Sequence, residues 1–195
     1  MNEPMITLDA HYYRAAMECM AKADVRYYLN GICVKPNGHI HASNGHVMYT
    51  APYEASGEID EFIFEPVKIP ANKTRVELEV VSIHDKSYVL LTAFDKGLIG
   101  DEYLCRIINT TNPYPNWDEV ITRNIVTRKQ DFNRFSFDTV YTTLLGKVFK
   151  KCTPNTRGVT FEMENPDVAL VTSNDLSDKG RLMVMGKYLK ENAHK

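Results

Sequence analysis

One order of hydrophobic periodicities occurs twice in this chain, and it limits the folds open to it: a helix-period stretch, then several strand-period stretches. In residues 9–23, Tyr12, Ala16, Met20 and Ala23 recur at helical spacing, Asp9 stands where a cap belongs, and Arg14, Glu18 and Lys22 form a charged row expected to face away from the core. Val25–Lys35 then reads as a strand rich in Tyr, Ile and Val, and Pro36-Asn37-Gly38 as a turn. His39–Ser43 and His46–Pro52 read as a hairpin closed by Asn44-Gly45, since both residues tolerate positive φ. Phe62–Ile69 reads as a further strand. The second round starts near Asp138, the expected cap of a helix over 139–151. Its apolar stripe is Tyr141, Leu144, Leu145, Val148 and Cys152, and Pro154 stops it. Strands over Gly158–Met163, Val168–Ser173 and Arg181–Met185 follow.

Between the two rounds, Arg75–Ile83, Ser87–Phe94 and Glu102–Ile108 read as strands. Residues 109–118, with two prolines and three asparagines, read as a loop or junction. Residues 119–134 are polar and basic and take no assignment. These patterns predict an α+β fold, antiparallel sheets with two helices, built from an internally duplicated helix-then-strands unit. The expected organisation is one compact unit: a half-repeat over 5–70, a β-rich middle and junction over 71–134, and a half-repeat over 135–190.

A chain of 195 residues with 44% apolar and 25% charged residues can bury a sizeable core; this composition excludes a disordered, collagenous or disulfide-scaffold protein. The net charge of −2 gives no bulk pull toward nucleic acid or membrane, but it is uneven: residues 1–100 sum to −4 and residues 101–195 to +2. Cys19, Cys33, Cys105 and Cys152 are widely spaced, which fits free thiols better than a zinc site or disulfide framework. The first residues carry no basic and apolar leader pattern, and no apolar run is long enough to span a bilayer. A cytoplasmic protein with no membrane partner is expected.

Catalytic signatures are missing from the sequence: there is no G-x-S-x-G, P-loop, H-E-x-x-H or G-x-G-x-x-G pattern. No catalytic residue, cofactor or metal site is assigned, and the chain is expected not to be an enzyme. His39 and His41 share a strand face with His46 across the hairpin. No carboxylate or cysteine completes a ligand set in that segment, so they read as solvent-facing strand histidines.

The run Asp24-Val25-Arg26-Tyr27-Tyr28-Leu29-Asn30-Gly31 closely resembles the middle domain of the bacterial replicative sliding clamp, the β subunit of DNA polymerase III. Ala42-Ser43-Asn44-Gly45-His46-Val47-Met48 is similar to that family's Ala-Thr-Asp-Gly-His-Arg-Leu segment and follows at the right distance. Tyr114-Pro115-Asn116-Trp117 resembles its Phe-Pro-Asp-Tyr junction, and Asp138–Met185, with Arg157-Gly158-Val159 opening a strand, resembles a clamp half-domain. The matches cover about two-thirds of the chain. The departures are plain. A clamp subunit has three such domains, whereas this chain has room for fewer. The family's second helix after Ile69-Pro70 is replaced here by strands.

The resemblance implies a DNA-clamp-like fold, and with it duplex DNA as a sequence-independent partner, a DNA polymerase or other replication protein as a second, and a homo-oligomer where a ring is closed. It places Arg26, Tyr27 and Tyr28 near the DNA path; strand packing is the other reading of the tyrosines. Lys147, Lys150 and Lys151 fit a basic helix face toward phosphates, the alternative being lysines that offset the helix dipole. Arg123, Arg128, Lys129 and Arg134 form another basic strip. A partner-peptide pocket is implied at Leu29, Ser43, Gly45, His46, Val47 and Met48, with Met183 and Met185 on the opposite wall; an ordinary hairpin with core methionines is the competing reading. Val47 stands where the family has Arg, and Gly186 where it has Pro. The expected function is a non-catalytic replication accessory protein. The alternative is a clamp-fold interaction protein, a regulator or decoy of host replication proteins that does not encircle DNA.

Overall fold

The computed structural model describes residues 5–96, 100–116, 119, 139–152, 159–165, 168–173 and 179–185. It is α+β, with two antiparallel sheets and two α-helices among these residues. Strand β1 (Met5–Asp9) runs directly into helix α1 (Ala10–Cys19). Then come β2 (Ile32–Lys35), β3 (His39–Ser43), β4 (Val47–Pro52), β5 (Glu54–Ala55) and β6 (Phe62–Phe64). The long strands β7 (Arg75–Ile83), β8 (Lys86–Phe94) and β9 (Gly100–Arg106) form a meander. Helix α2 (Thr139–Cys152) precedes β10 (Val159–Asn165), β11 (Val168–Ser173) and β12 (Arg181–Met185).

The five-stranded sheet has the order β5-β1-β7-β8-β9 and the seven-stranded sheet the order β10-β11-β12-β4-β3-β2-β6. Each helix is therefore followed by a three-stranded antiparallel meander, and the two meanders join where β12 pairs with β4, Leu182 opposite Tyr49 and Met183 opposite Met48. At the other end, Phe64 bridges Ile107 and Ile108 N–H donates to the Ile63 carbonyl, so the sheets meet at a corner.

Strand alternation sends Ile6, Leu8, Val76, Leu78, Val89 and Leu91 from the first sheet and Val34, Ile40, Val47, Tyr49, Val171 and Leu182 from the second into one core. Helix α1 adds Tyr12, Tyr13 and Ala16 to it, and α2 adds Leu145, Val148 and Phe149. The two helices lie against each other. Tyr13 is fully buried, stacks on Phe64 and donates its hydroxyl to the Val67 carbonyl at 2.7 Å, which satisfies its one polar atom. Cys19, Cys33 and Cys105 are buried and form no disulfide among the described residues.

Several expectations are corrected. The strand over Val25–Lys35 is confined to Ile32–Lys35; Tyr27–Asn30 form a 3-10 turn instead. Side-chain bonds among Asp24, Arg26 and Asn30 win there over the β preference of the tyrosines. The first helix ends at Cys19 rather than at residue 23, because Ala21 N–H is taken by the carbonyls of Leu29 and Ser43 and Ala23 has φ of +58°. Asp9 does stand at the N-cap of α1, with extended backbone as the last residue of β1, but its side chain makes no cap bond. The strand expected over Phe62–Ile69 stops at Phe64. The expected Asp138 cap, the Arg157-Gly158 strand start and the basic strip 123–134 lie outside the described residues. No helix among the described residues is long and apolar enough to cross a membrane.

Candidate functional site

The Asp24–Gly31 run folds into a closed knot. Asp24 N–H donates to Asn30 Oδ1 at 2.9 Å, and Asn30 Nδ2 donates back to the Asp24 carbonyl at 3.0 Å. Arg26 grips the Asp24 carboxylate through Nε at 3.0 Å and Nη2 at 2.9 Å. Those bonds hold the Asp24 carboxyl down at about 2 and push the guanidinium up. The knot thrusts Val25 almost entirely into solvent and leaves Tyr27 about half exposed. The Tyr28 ring meets Tyr27 and Tyr114 edge-on. A cleft of about 360 Å³ opens beside Tyr27, between Asn30, Glu65, Arg106 and Ile108.

The β3–β4 hairpin sits under this knot. Pairing closes at Ser43–Met48 rather than as a two-residue Asn44-Gly45 turn. Gly45 alone in this loop has positive φ, +87°. A backbone bond from Asn44 N–H to the Val47 carbonyl at 3.3 Å spans the turn, and side chains support it: Asn44 Oδ1 accepts from His46 N–H and Val47 N–H, and Ser43 Oγ accepts from Gly45 N–H and donates to the Val47 carbonyl at 2.8 Å. Ser43 N–H in turn donates to the Tyr114 hydroxyl at 2.8 Å.

The residues expected to line a peptide pocket divide between two faces. Leu29, Ser43, Met48 and Met183 belong to the outer side of the seven-stranded sheet, where Ser43, Met48 and Met183 form one cross-strand row with Leu170. Val47 points the other way, into the core beneath the helices. Met48 and Met183 are buried, so they are not an open wall. His46 is exposed at the hairpin tip with its ring 6.0 Å from that of Tyr141 on α2. Leu29 sits in a second, small cluster with Ala21, Cys33, Ile63 and Tyr114. The Met185 side chain lies outside the described residues.

On α2, Lys147 and Lys150 are exposed beside Thr143 and Gly146, while Leu145, Val148 and Phe149 face the core. Lys151 continues the same helix, but its side chain lies outside the described residues. The lysines are thus presented on a rigid, packed helix, apart from the Arg26–Tyr28 knot in sequence and in secondary structure.

The histidines do not converge. His39 Nδ1 is 3.2 Å from the Asn37 carbonyl, and His41 is buried, paired with Cys33 on one side and Thr50 on the other. This corrects the solvent-facing expectation for His41: the outer face of the sheet is covered at its centre. Its Nδ1 has no hydrogen-bond partner among the described residues, and burial pulls the imidazole down to about 4. No group of three or more His, Cys, Asp or Glu able to hold a metal occurs among the described residues. What sequence reasoning missed is Tyr114. Its proline- and asparagine-rich surroundings signalled a loop, whereas its buried ring anchors that loop to the sheet.

No protein-family model matches the chain, and no curated protein is a significant match to it.

Proposed function

We propose that this protein is a non-catalytic DNA-replication accessory protein resembling a sliding clamp. Its α2 face meets duplex phosphates without regard to sequence, and the knot-and-hairpin region meets a replication partner such as a DNA polymerase. The observation that carries this reading is the pair of mutually packed helices, each followed by an antiparallel meander, with Lys147 and Lys150 exposed on the second. Phosphate contact needs positive charge on a rigid element and little else. The test is fluorescence anisotropy with a labelled random-sequence duplex, titrated with salt. Binding that weakens with salt, and that is lost in Lys147→Glu/Lys150→Glu, supports the reading; wild-type protein that leaves the duplex free at low salt overturns it.

One observation favours a second reading, an interaction protein that regulates or decoys replication proteins without encircling DNA. The charge of Arg26 is spent on Asp24, while Val25 and Tyr27 stand exposed beside it, an arrangement suited to a protein contact. Light scattering at several protein concentrations separates the two. A closed oligomer goes with topological tethering, and a monomer at every concentration goes with the decoy.

A further inference from the structure

We propose that the Tyr114 hydroxyl is a positioning group for the β3–β4 hairpin, tying the junction loop at 107–116 to the candidate partner site. The inference deepens the partner-binding reading and rests on it for its functional meaning, but not for its test. The loop is anchored at its start by backbone bonds, Glu65 N–H to the Arg106 carbonyl at 2.9 Å and Ile108 N–H to the Ile63 carbonyl at 2.8 Å. At its far end the Tyr114 ring enters the small cluster of Leu29, Cys33 and Ile63. There its oxygen accepts from Ser43 N–H at 2.8 Å and lies 3.4 Å from the Gly31 carbonyl, toward which its proton points. Burial keeps the phenol protonated, so it can do both at once.

Ser43 is the residue on which the hairpin turns. Its amide meets Tyr114, its hydroxyl bonds both Gly45 N–H and the Val47 carbonyl, and its carbonyl accepts from Ala21 N–H at 3.2 Å. Gly31 closes the Asp24–Gly31 knot and has no room for a side chain, since a β-carbon there would sit 2.7 Å from the Phe64 carbonyl oxygen. One hydroxyl therefore ties three segments: the junction loop, the knot and the hairpin. A phenylalanine at 114 would fill the same hydrophobic space but leave the Ser43 amide buried without a partner. The hydroxyl thus holds the turn in a way that packing of the ring alone does not.

The test is Tyr114→Phe, which keeps the ring and so the packing, read by amide hydrogen exchange on the full chain. Exchange at Ser43, Gly45 and Val47 is expected to rise about tenfold, in line with the loss of one buried hydrogen bond. Exchange at Leu78 and Leu91, in the core of the other sheet, stays unchanged. Unchanged exchange at the hairpin overturns the proposal. So does an equal rise at every site, which would make Tyr114 an ordinary contributor to global stability. The measurement needs no partner, so its outcome is independent of whether the partner site exists. That site falls if His46→Ala leaves association with a purified bacterial replicative polymerase unaltered, whatever the exchange result.

Discussion

The guanidinium of Arg26 lies across Gly45, so closely that a β-carbon added to Gly45 would sit 2.7 Å from Arg26 Nη2. The contact joins the two sequence segments that carry the clamp resemblance. Gly45 also holds φ at +87°, where a side chain is strained. Gly45→Ala is expected to cost about 1–2 kcal/mol, mostly from backbone strain, because the arginine end can move aside. Gly146 is the opposite case: it is inside α2, and a β-carbon there would meet nothing within 4 Å. Gly146→Ala should stabilise by about 0.5–1 kcal/mol. Urea midpoints of the two variants against wild type check both signs.

Much of the fold was legible because its signals are local. β7 and β8 alternate cleanly and α2 keeps a regular apolar stripe, so their ranges agree with the patterns to within one residue. Failures came where side chains compete with the backbone or where contacts are distant. Tyr27 and Tyr28 favour a strand by type, yet the Asp24–Arg26–Asn30 bonds bend them into a 3-10 turn. His41 looked exposed because its strand alternates, but alternation says nothing of what covers the outer face. Tyr114 bonds Ser43 across 71 positions, a separation that no local pattern records.

Asp24 neutralises Arg26, so removing it changes both charge and stability. Asp24→Ala frees the guanidinium, and under the DNA-binding reading the salt slope of duplex association should steepen by about 1, one additional phosphate contact. An unchanged slope would place Arg26 away from the DNA path. The pH dependence has a definite sign. The Asp24 carboxyl is held at about 2, below its ordinary value, by its bonds to Arg26. The stabilisation is complete above the ordinary carboxylate value of roughly 4 and is lost as pH falls toward 2. Acid titration of wild type against Asp24→Asn should show that loss in the wild type only.

His41 gives a dependence of the same sign in a higher pH window. Its imidazole is held down to about 4 by burial first, with Lys35 and His39 adding to it. The unfolded chain takes up the proton near pH 6.5, before the folded one does. Stability should therefore fall as pH drops from about 6.5 to about 4 and change no further from this group below that. The full shift is worth roughly 3 kcal/mol. His41→Phe should flatten this part of the profile and cost little at pH 7, since it also removes an Nδ1 that has no partner among the described residues. Thermal melts between pH 4 and 8 decide it, and a variant profile parallel to wild type would assign the dependence to another group.

Leu182 tests whether the two meanders unfold together. It is fully buried on β12, between Val171 on β11 and Tyr49 on β4, and its side chain enters the core that both helices share. Leu182→Ala leaves a cavity at that seam and should cost about 2–5 kcal/mol, the spread reflecting how far Tyr49 and Val171 relax into it. If β10–β12 belong to the same cooperative unit as β2–β4, denaturation followed by far-ultraviolet dichroism and by tyrosine fluorescence should give one coincident transition, shifted as a whole in the variant. If the C-terminal strands fold apart from the rest, the variant should split the curve, with only the component reporting residues 139–185 moving to lower denaturant. The first outcome makes the β12–β4 pairing the joint that turns two half-repeats into one body. The second reduces it to a docking contact between separately stable parts.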